Sequence, residues 1–205
     1  VVFVICLASL LWLTRPLLSV AMAESRSATR PANALQKPTL TPTITLTPTT
    51  PPPTAPRVDL AKYAGTWHEI ARLPMPFQKA GDAATAIYTA KPDGNVGVHN
   101  IATRPDGTKR EIRGTATVLN PGVNTKLAVR FDTWFGPLIP VPEEGNYWIL
   151  HVSPDYQEAL VGTPDRQYLW ILARKKSLSA AAEAALVAKA RDLGFKTESL
   201  VRPVR

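Results

Sequence analysis

The sequence predicts an all-β domain of antiparallel strands followed by one helix. Short runs rich in β-branched and aromatic residues recur at hairpin-like intervals, and turn-forming triplets such as Pro-Asp-Gly and Asn-Pro-Gly separate several of them. No helical pattern interrupts these runs, and the one strongly helical stretch, AAAEAALVAKARDL, comes after them. Strands in this arrangement leave two architectures open, a sandwich and a barrel.

The first 57 residues differ in composition from the rest of the 205-residue chain. Residues 1–23 begin with an apolar run and end in the small-x-small pattern Ala21-Met22-Ala23, which predicts a signal peptide or, if it stays uncleaved, an N-terminal membrane anchor. Residues 24–57 contain TPTITLTPTTPPPTAP, which has little apolar surface to bury and predicts a disordered linker. The globular domain is therefore expected at residues 58–205.

Cysteine content and charge restrict the function. Cys6 is the one cysteine and lies in the predicted signal peptide, so the mature domain would contain no disulfide. The formal net charge is +8, but residues 58–205 contribute only +4, from 19 basic and 15 acidic side chains. These charges are scattered rather than clustered among aromatic residues, so we expect no nucleic-acid partner, whereas loose attraction to a membrane surface is compatible with them.

The predicted elements are a short helical lead-in, eight strands and a helix. The lead-in is Val58–Tyr63, and the strands are Thr66–Leu73, Thr85–Thr89, Val96–Ile101, Glu111–Leu119, Lys126–Asp132, Asn146–Val152, Glu158–Gly162 and Tyr168–Arg174. The helix spans Ser177–Leu193, with Ser177 or Ser179 as its N-cap and Gly194 as its stop. Leu200-Val201 is predicted as a final short strand.

Alternation along the strands assigns side chains to the interior. The predicted inward residues of the fourth and fifth strands are Ile112, Gly114, Ala116, Val118, Leu127, Val129 and Phe131. The small residues among them fit either tight barrel curvature or an unfilled cavity. On the first strand Trp67, Glu69 and Ala71 share a face. Burying a carboxylate is energetically unfavourable unless it is paired or hydrated. An inward Glu69 therefore indicates either a buried hydrogen-bond partner or a polar position in a cavity.

The two ends of the strand region supply a complementary pair of side chains. Gly65-Thr66-Trp67 opens the first strand, and Arg174 closes the last one. A guanidinium can lie flat on an indole ring while its N–H groups donate to loop carbonyls. The pair therefore suggests a sheet that closes on itself and is sealed at one end, and such a closed sheet suggests a small molecule bound inside it.

No set of residues in the sequence indicates catalysis or a metal site. His68, His99 and His151 fall on three different predicted strands without metal-ligand spacing. The run His151–Asp155 contains Ser, His and Asp but is too short to fold back into a catalytic chain. No glycine motif for phosphate is present. We expect neither a metal nor a cofactor, and Glu69 is the one inward acid that an enzyme on this scaffold could use.

Three segments, in this order and at this spacing, resemble the lipocalin family, and within it the bacterial and apolipoprotein-D-like branch. They are Tyr63–Arg72 with its Gly-x-Trp motif, Tyr147–Tyr156 running into Ala159–Gly162, and Pro164–Arg174. The resemblance covers residues 58–205. It implies an eight-stranded antiparallel up-and-down barrel, with the C-terminal helix packed outside, that binds a hydrophobic molecule at its open end.

The resemblance also implies roles for individual residues. Gly65, Trp67 and Arg174 would close one end of the barrel as structural residues, while the loop at residues 73–82 would flank the mouth. The loop at residues 132–145 looks longer than usual for the family and is expected to reshape the mouth. Taken with the inward faces, this predicts as ligand-binding residues Glu69, Ala71, Met75, Phe77, Tyr88, Val129, Phe131, Tyr147 and Ile149.

The expected function is that of an exported, non-enzymatic carrier of a fatty acid or lysophospholipid, for lipid storage, transport or repair in the cell envelope. The expected location is the periplasm of a Gram-negative bacterium, with membrane association left open, although an Ala-x-Ala site stands where exported bacterial relatives have a lipid-modified cysteine. Two alternatives remain: an enzyme acting on a lipophilic substrate in the same cavity, and a tethered barrel that binds proteins. The oligomeric state is open, with a homodimer among the options.

Overall fold

A computed structural model of the chain describes residues 50–134 and 136–204. Within this part eight strands form a closed antiparallel barrel, in which each strand pairs with its neighbours in sequence and the last strand pairs with the first. The predicted up-and-down barrel is therefore confirmed, and the sandwich is excluded. The predicted signal peptide and residues 24–49 of the predicted linker lie outside the described residues.

The strands agree closely with those predicted. They are β1 (Gly65–Arg72), β2 (Ala83–Ala90), β3 (Val96–Thr103), β4 (Lys109–Val118), β5 (Lys126–Phe131), β6 (Tyr147–Val152), β7 (Glu158–Gly162) and β8 (Leu169–Ala173). Each strand end lies within two residues of its predicted position. A short helix α1 (Leu60–Tyr63) precedes the barrel, and a 3-10 turn (Gly136–Leu138) lies between β5 and β6.

The C-terminal helix α2 (Ala180–Asp192) packs against the outside of the barrel. Its N-cap is Ser179, whose hydroxyl accepts a hydrogen bond from the Ala182 N–H at 3.2 Å, so the second of the two predicted caps is used. Gly194, at φ +86°, ends the helix as predicted. A 3-10 turn (Thr197–Ser199) follows, and the predicted final strand is reduced to one antiparallel bridge between Val201 and Arg72.

Ala71 belongs to this outer layer, which corrects the prediction that it points inward with Glu69. The register of β1 against β8 shifts between Glu69 and Ala71, so a β-bulge interrupts the alternation. Ala71 is fully buried in the cluster that contains Leu186 and Ala190 of α2. The bulge in turn directs Arg72, which pairs with Trp170 of β8, to the inner side.

The end of the predicted linker packs on the barrel instead of being disordered. Pro52, Ala55 and Val58 are buried, and their three-residue spacing matches the period of a polyproline II helix. The Ala55 N–H donates to the Ile149 carbonyl, and the Val58 N–H donates to the Val123 carbonyl, each at 2.9 Å. Residues that precede the expected start of the domain therefore pack against the barrel.

Replacing Val58 by alanine should lower the free energy of unfolding by about 2 kcal/mol, because it removes two buried methyl groups from a site with no solvent exposure. Urea denaturation measures this change. The neighbouring exposed Arg57 provides the control, and Arg57→Ala should stay within about 0.5 kcal/mol of the parent protein. Equal stabilities for the two variants would show that this segment does not dock on the barrel.

Candidate ligand-binding cavity

One end of the barrel is sealed by a stack of Arg174 on Trp67. The guanidinium carbon lies 3.9 Å from the centroid of the Trp67 rings, and Trp67 is fully buried. The guanidinium N–H groups donate to the carbonyls of Lys62, Ala64 and Thr66 at 2.8, 2.8 and 2.9 Å. A single side chain at the end of β8 thus fixes the segment that leads into β1.

The backbone around the seal is shaped to admit this arginine. Gly65 has φ +98°, and a Cβ atom there would lie 3.2 Å from Nη1 of Arg174, so a side chain would be both strained and crowded. Nε of Arg174 donates at 3.2 Å to the carbonyl of Tyr156, which is held at φ +57°. Partial burial lowers the pKa of Arg174 below its ordinary value, but arginine remains charged at neutral pH.

The barrel interior contains a cavity of about 120 Å³, counted as the space that the centre of a water molecule can occupy. This is well above the ~10–15 Å³ that one water needs. Its wall is mainly aliphatic and aromatic and includes residues of β1 to β6, of β8 and of the loop at residues 73–82. Seven predicted ligand-binding residues line it: Glu69, Met75, Phe77, Tyr88, Val129, Phe131 and Tyr147.

The other two predicted ligand-binding residues do not line the cavity. Ala71 faces α2, as the β-bulge dictates. Ile149 is fully buried in the core cluster that also contains Ala55, Val58 and Trp67, and its carbonyl accepts the hydrogen bond from Ala55. Alternation along β6 alone predicts an inward Ile149 but cannot tell how far down the barrel the open space extends.

Several lining residues were missed in the sequence. The main ones are Gln78, Val98, Asn100, Ala102, Tyr168, Trp170 and Leu172. For the residues on β3, the signal was the alternation along the strand, which places Val98 and Ala102 on one face. Asn100 interrupts that apolar face with a polar side chain, and such a residue is easily assigned to solvent. The β8 residues were hidden by a run that is apolar on both faces, because α2 covers the outer one.

Glu69 has buried polar partners, which is one of the two situations predicted for it. Its carboxylate lies 3.3 Å from Nε of Arg72 and accepts a hydrogen bond from Nε2 of Gln78 at 3.1 Å. Nη2 of Arg72 donates to the Gln78 carbonyl at 3.2 Å. All three residues are buried. This ion-paired cluster ties the loop at residues 73–82 to β1, so the inward charge is neutralised locally.

Three tyrosines form a second, uncharged polar cluster. The hydroxyls of Tyr63 and Tyr147 lie 2.8 Å apart, and the Tyr147 hydroxyl donates to that of Tyr88 at 2.9 Å. The ring of Tyr63 stacks on that of Tyr88 with centroids 5.6 Å apart and also contacts Trp67 of the seal at 5.0 Å. The cluster therefore lies at the inner end of the cavity, beside the seal.

Burial keeps these hydroxyls protonated. It raises the pKa of Tyr88 to about 12 and raises the pKa of Tyr63 and of Tyr147 well above 10. At physiological pH all three side chains are therefore neutral groups that can both donate and accept hydrogen bonds.

The loop between β5 and β6 lies at the mouth of the barrel, at the same end as the loop between β1 and β2. Strands β5 and β6 pair at only two positions. Beyond them the Asn146 side chain supplies the hydrogen bonds to the β5 backbone: its Oδ1 accepts from the Val129 N–H at 2.8 Å, and its Nδ2 donates to the Val129 carbonyl at 3.1 Å. Trp134 and Leu138 in this loop are 87% and 77% exposed. The strands thus separate toward the mouth beside an exposed apolar loop.

The three histidines lie on three different strands, β1, β3 and β6. Nδ1 of His68 is 3.3 Å from the Thr85 hydroxyl, and Nε2 of His99 is 2.8 Å from the Glu111 carboxylate. Partial burial lowers the pKa of His151. Among residues 50–134 and 136–204, no group of three His, Cys, Asp or Glu side chains could hold a metal ion. Over the same ranges, no helix is long and apolar enough to cross a membrane.

A barrel sealed at one end around an apolar cavity defines a class of protein that encloses small hydrophobic molecules. A family model described as a lipocalin-like domain matches residues 58–205, which is the region whose motifs resemble that family. The chain therefore belongs to the lipocalin family. Lipocalins as a family are ligand-binding proteins for small hydrophobic molecules and are generally not enzymes.

Curated relatives and solved structures agree with this assignment. Temperature-induced lipocalin-1 of Arabidopsis thaliana is 39% identical over 146 residues, which cover 70% of this chain and 77% of that protein. Outer membrane lipoprotein Blc of Citrobacter freundii is 34% identical over 144 residues, with the same two coverages of 70% and 77%. Apolipoprotein D of Bos taurus is 37% identical over 128 residues, covering 58% of this chain and 62% of that protein.

The fold is also found among solved structures. Insecticyanin of the tobacco hornworm Manduca sexta has a TM-score of 0.54 at 21% identity, covering 77% of this chain and 85% of that one. Lobster apocrustacyanin A1 has a TM-score of 0.52 at 16% identity, covering 76% and 91%. At these identities the likeness supports the fold alone.

Replacing Arg174 by lysine should destabilise the barrel by about 3 kcal/mol. An ammonium group cannot stack flat on Trp67 while also donating to several carbonyls, so the stack and some of these charge-assisted hydrogen bonds would be lost. Thermal and urea unfolding measure the loss.

Arg202→Lys is the matched control. Arg202 is bonded to Glu183 on the outside of the protein with 55% of its side chain exposed, and this replacement should cost less than about 1 kcal/mol. If Arg174→Lys proved as mild as the control, the seal would not depend on guanidinium geometry.

Proposed function

We propose that this protein is an exported carrier that holds a fatty acid or lysophospholipid in the barrel cavity, for lipid storage, transport or repair in the cell envelope. The observation that carries the proposal is an apolar cavity inside a barrel that Arg174 and Trp67 close at one end. An alkyl chain placed there would gain roughly 0.8 kcal/mol for each buried CH₂ group. Membership in a family that binds small hydrophobic ligands supports the same conclusion.

The charges around the cavity favour one orientation for such a lipid. No lysine, arginine or histidine is among the described lining residues, and Glu69 is the one carboxylate among them. A carboxylate or phosphate drawn into the interior would lose its hydration without meeting a counter-charge. The charged head of a fatty acid or lysophospholipid is therefore expected to remain in water at the mouth.

The proposed location is the periplasm of a Gram-negative bacterium. The apolar run and small-x-small pattern within residues 1–23 support export, and the similarity to a protein named as an outer membrane lipoprotein supports the cell envelope. Exposed Trp134 and Leu138 beside the mouth support contact with a membrane surface, because tryptophan is enriched where lipid meets water.

The two alternative functions receive less support from the geometry. An enzyme in this cavity would need an acid–base pair, yet Glu69 is held by Arg72 and Gln78 beneath the mouth loop. Glu69→Gln tests this directly, because binding retained with turnover lost would favour the enzyme. A tethered protein-binding barrel would need no internal space, and the cavity argues against it.

Native mass spectrometry of the protein purified from its expression host, followed by lipid extraction, should identify a bound single-chain lipid. After delipidation, saturated fatty acids of 16, 14 and 12 carbons should bind with affinities that fall about 15-fold for each two carbons removed, because each pair of CH₂ groups contributes roughly 1.6 kcal/mol. Displacement of 1-aminoanthracene, an uncharged fluorescent probe, measures these affinities. Absence of binding, or affinity independent of chain length, would contradict the proposal.

A further inference from the structure

We infer that the inner end of the cavity contains a polar subsite for an uncharged oxygen function of the ligand, a hydroxyl or a carbonyl, formed by Tyr88 and Asn100. This inference rests on the proposed function and specifies the chemistry that the cavity selects at its inner end. It predicts that affinity depends on the functional group at the end of the ligand that reaches the inner end of the cavity.

The first observation is an unused hydrogen in the tyrosine cluster. The three hydroxyls of Tyr63, Tyr147 and Tyr88 supply three hydrogens, but only two hydrogen bonds join them. Because Tyr147 donates to Tyr88, its single hydrogen is used, and Tyr63 must donate to Tyr147. The hydrogen of the Tyr88 hydroxyl is then left without an acceptor among the described residues, at a side chain that lines the cavity.

The second observation is the unsatisfied amide of Asn100. Asn100 lines the same cavity, and its Oδ1 is buried without a hydrogen-bond partner. A buried polar atom left unpaired is destabilising, so a ligand group that pairs with it is favoured. The amide can accept through its oxygen and donate through its nitrogen.

The sheet register places these two residues close together. Tyr88 of β2 pairs with Val98 of β3, and Asn100 lies two residues beyond Val98 on the same face. Such diagonal neighbours have Cα atoms roughly 7–8 Å apart, within reach of long and aromatic side chains. One ligand oxygen between them can accept from the Tyr88 hydroxyl, and a ligand hydroxyl can also donate to the Asn100 oxygen.

The charges of the lining select an uncharged group for this position. No cationic side chain among the described residues lines the cavity, and Glu69, its one carboxylate, is already paired with Arg72. A carboxylate at the inner end would meet only neutral hydroxyls and one amide, too little to offset its lost hydration. A hydroxyl or carbonyl gives up far less hydration and finds both partners. A hydrocarbon end would leave Tyr88 and Asn100 unpaired.

The test compares 1-tetradecanol with tetradecanoate, which share a chain length and differ in the polar group. Their affinities are measured at pH 8 by displacement of 1-aminoanthracene from the delipidated protein. Tyr88→Phe removes the unused donor, and Asn100→Leu removes the unpaired amide. Each should weaken 1-tetradecanol about five- to tenfold, the worth of one hydrogen bond, while tetradecanoate, with its head in water at the mouth, changes less than about twofold.

Thr89→Val is the matched control, because it also removes one hydroxyl, but from an exposed residue of β2 that is not among the residues lining the cavity. It should leave both affinities unchanged. Circular dichroism and thermal unfolding establish that each variant is folded, and the two subsite variants test the inference independently of each other.

The outcomes separate the two claims. Two results would overturn the subsite while leaving the proposed function intact. One is an equal loss of affinity for the alcohol and the acid. The other is an unchanged affinity for the alcohol in both subsite variants. The second result would mean that Tyr88 and Asn100 are satisfied by water. If neither ligand bound the parent protein, the proposed function would fail and the subsite with it.

Discussion

The stack of Arg174 on Trp67 determines which end of the barrel can admit a molecule. Trp67 lies on the first strand and Arg174 directly follows the last one, and pairing of those two strands closes the sheet and removes its exposed edges. The Arg174 guanidinium also donates to carbonyls of the segment that leads into β1, so the residue after the last strand is bonded to the start of the first strand. Because this end is filled, the interior space opens away from it.

Tyr63 links this seal to the chemistry of the cavity. Its carbonyl accepts hydrogen bonds from both Trp67 and Arg174, its ring stacks between Trp67 and Tyr88, and its hydroxyl joins the tyrosine cluster. The inner end of the cavity is therefore neutral and anchored to the seal. The opposite end holds the ion pair of Glu69 and Arg72, which fastens the mouth loop. The cavity thus has an uncharged polar inner end and an ion-paired region toward its mouth, separated by apolar wall.

Local patterns in the sequence were sufficient for most of the barrel, because strand alternation and turn residues act over a few neighbours. Predictions failed where distant partners decide the structure. The bulge after Glu69 turned Ala71 outward, and Ala55 docks through a backbone bond to Ile149 that Thr/Pro composition conceals. The family resemblance was needed to choose a barrel over a sandwich.

The two explanations left open for the small inward residues of β4 both apply. A Cβ on Gly114 would lie 2.2 Å from a β5 carbonyl, so it permits close strand approach, whereas Ala116 lines the cavity.

The central claim is that the ligand occupies the interior of the barrel, and filling that interior tests it most directly. Ala84 of β2 lines the cavity, so Ala84→Trp should place an indole in the space that an alkyl chain would use. Thr89→Trp adds the same side chain at an exposed position of the same strand. Both variants should fold, and titration with hexadecanoate should show at least tenfold weaker binding for Ala84→Trp and unchanged binding for Thr89→Trp. Unchanged binding by a folded Ala84→Trp variant would contradict the account.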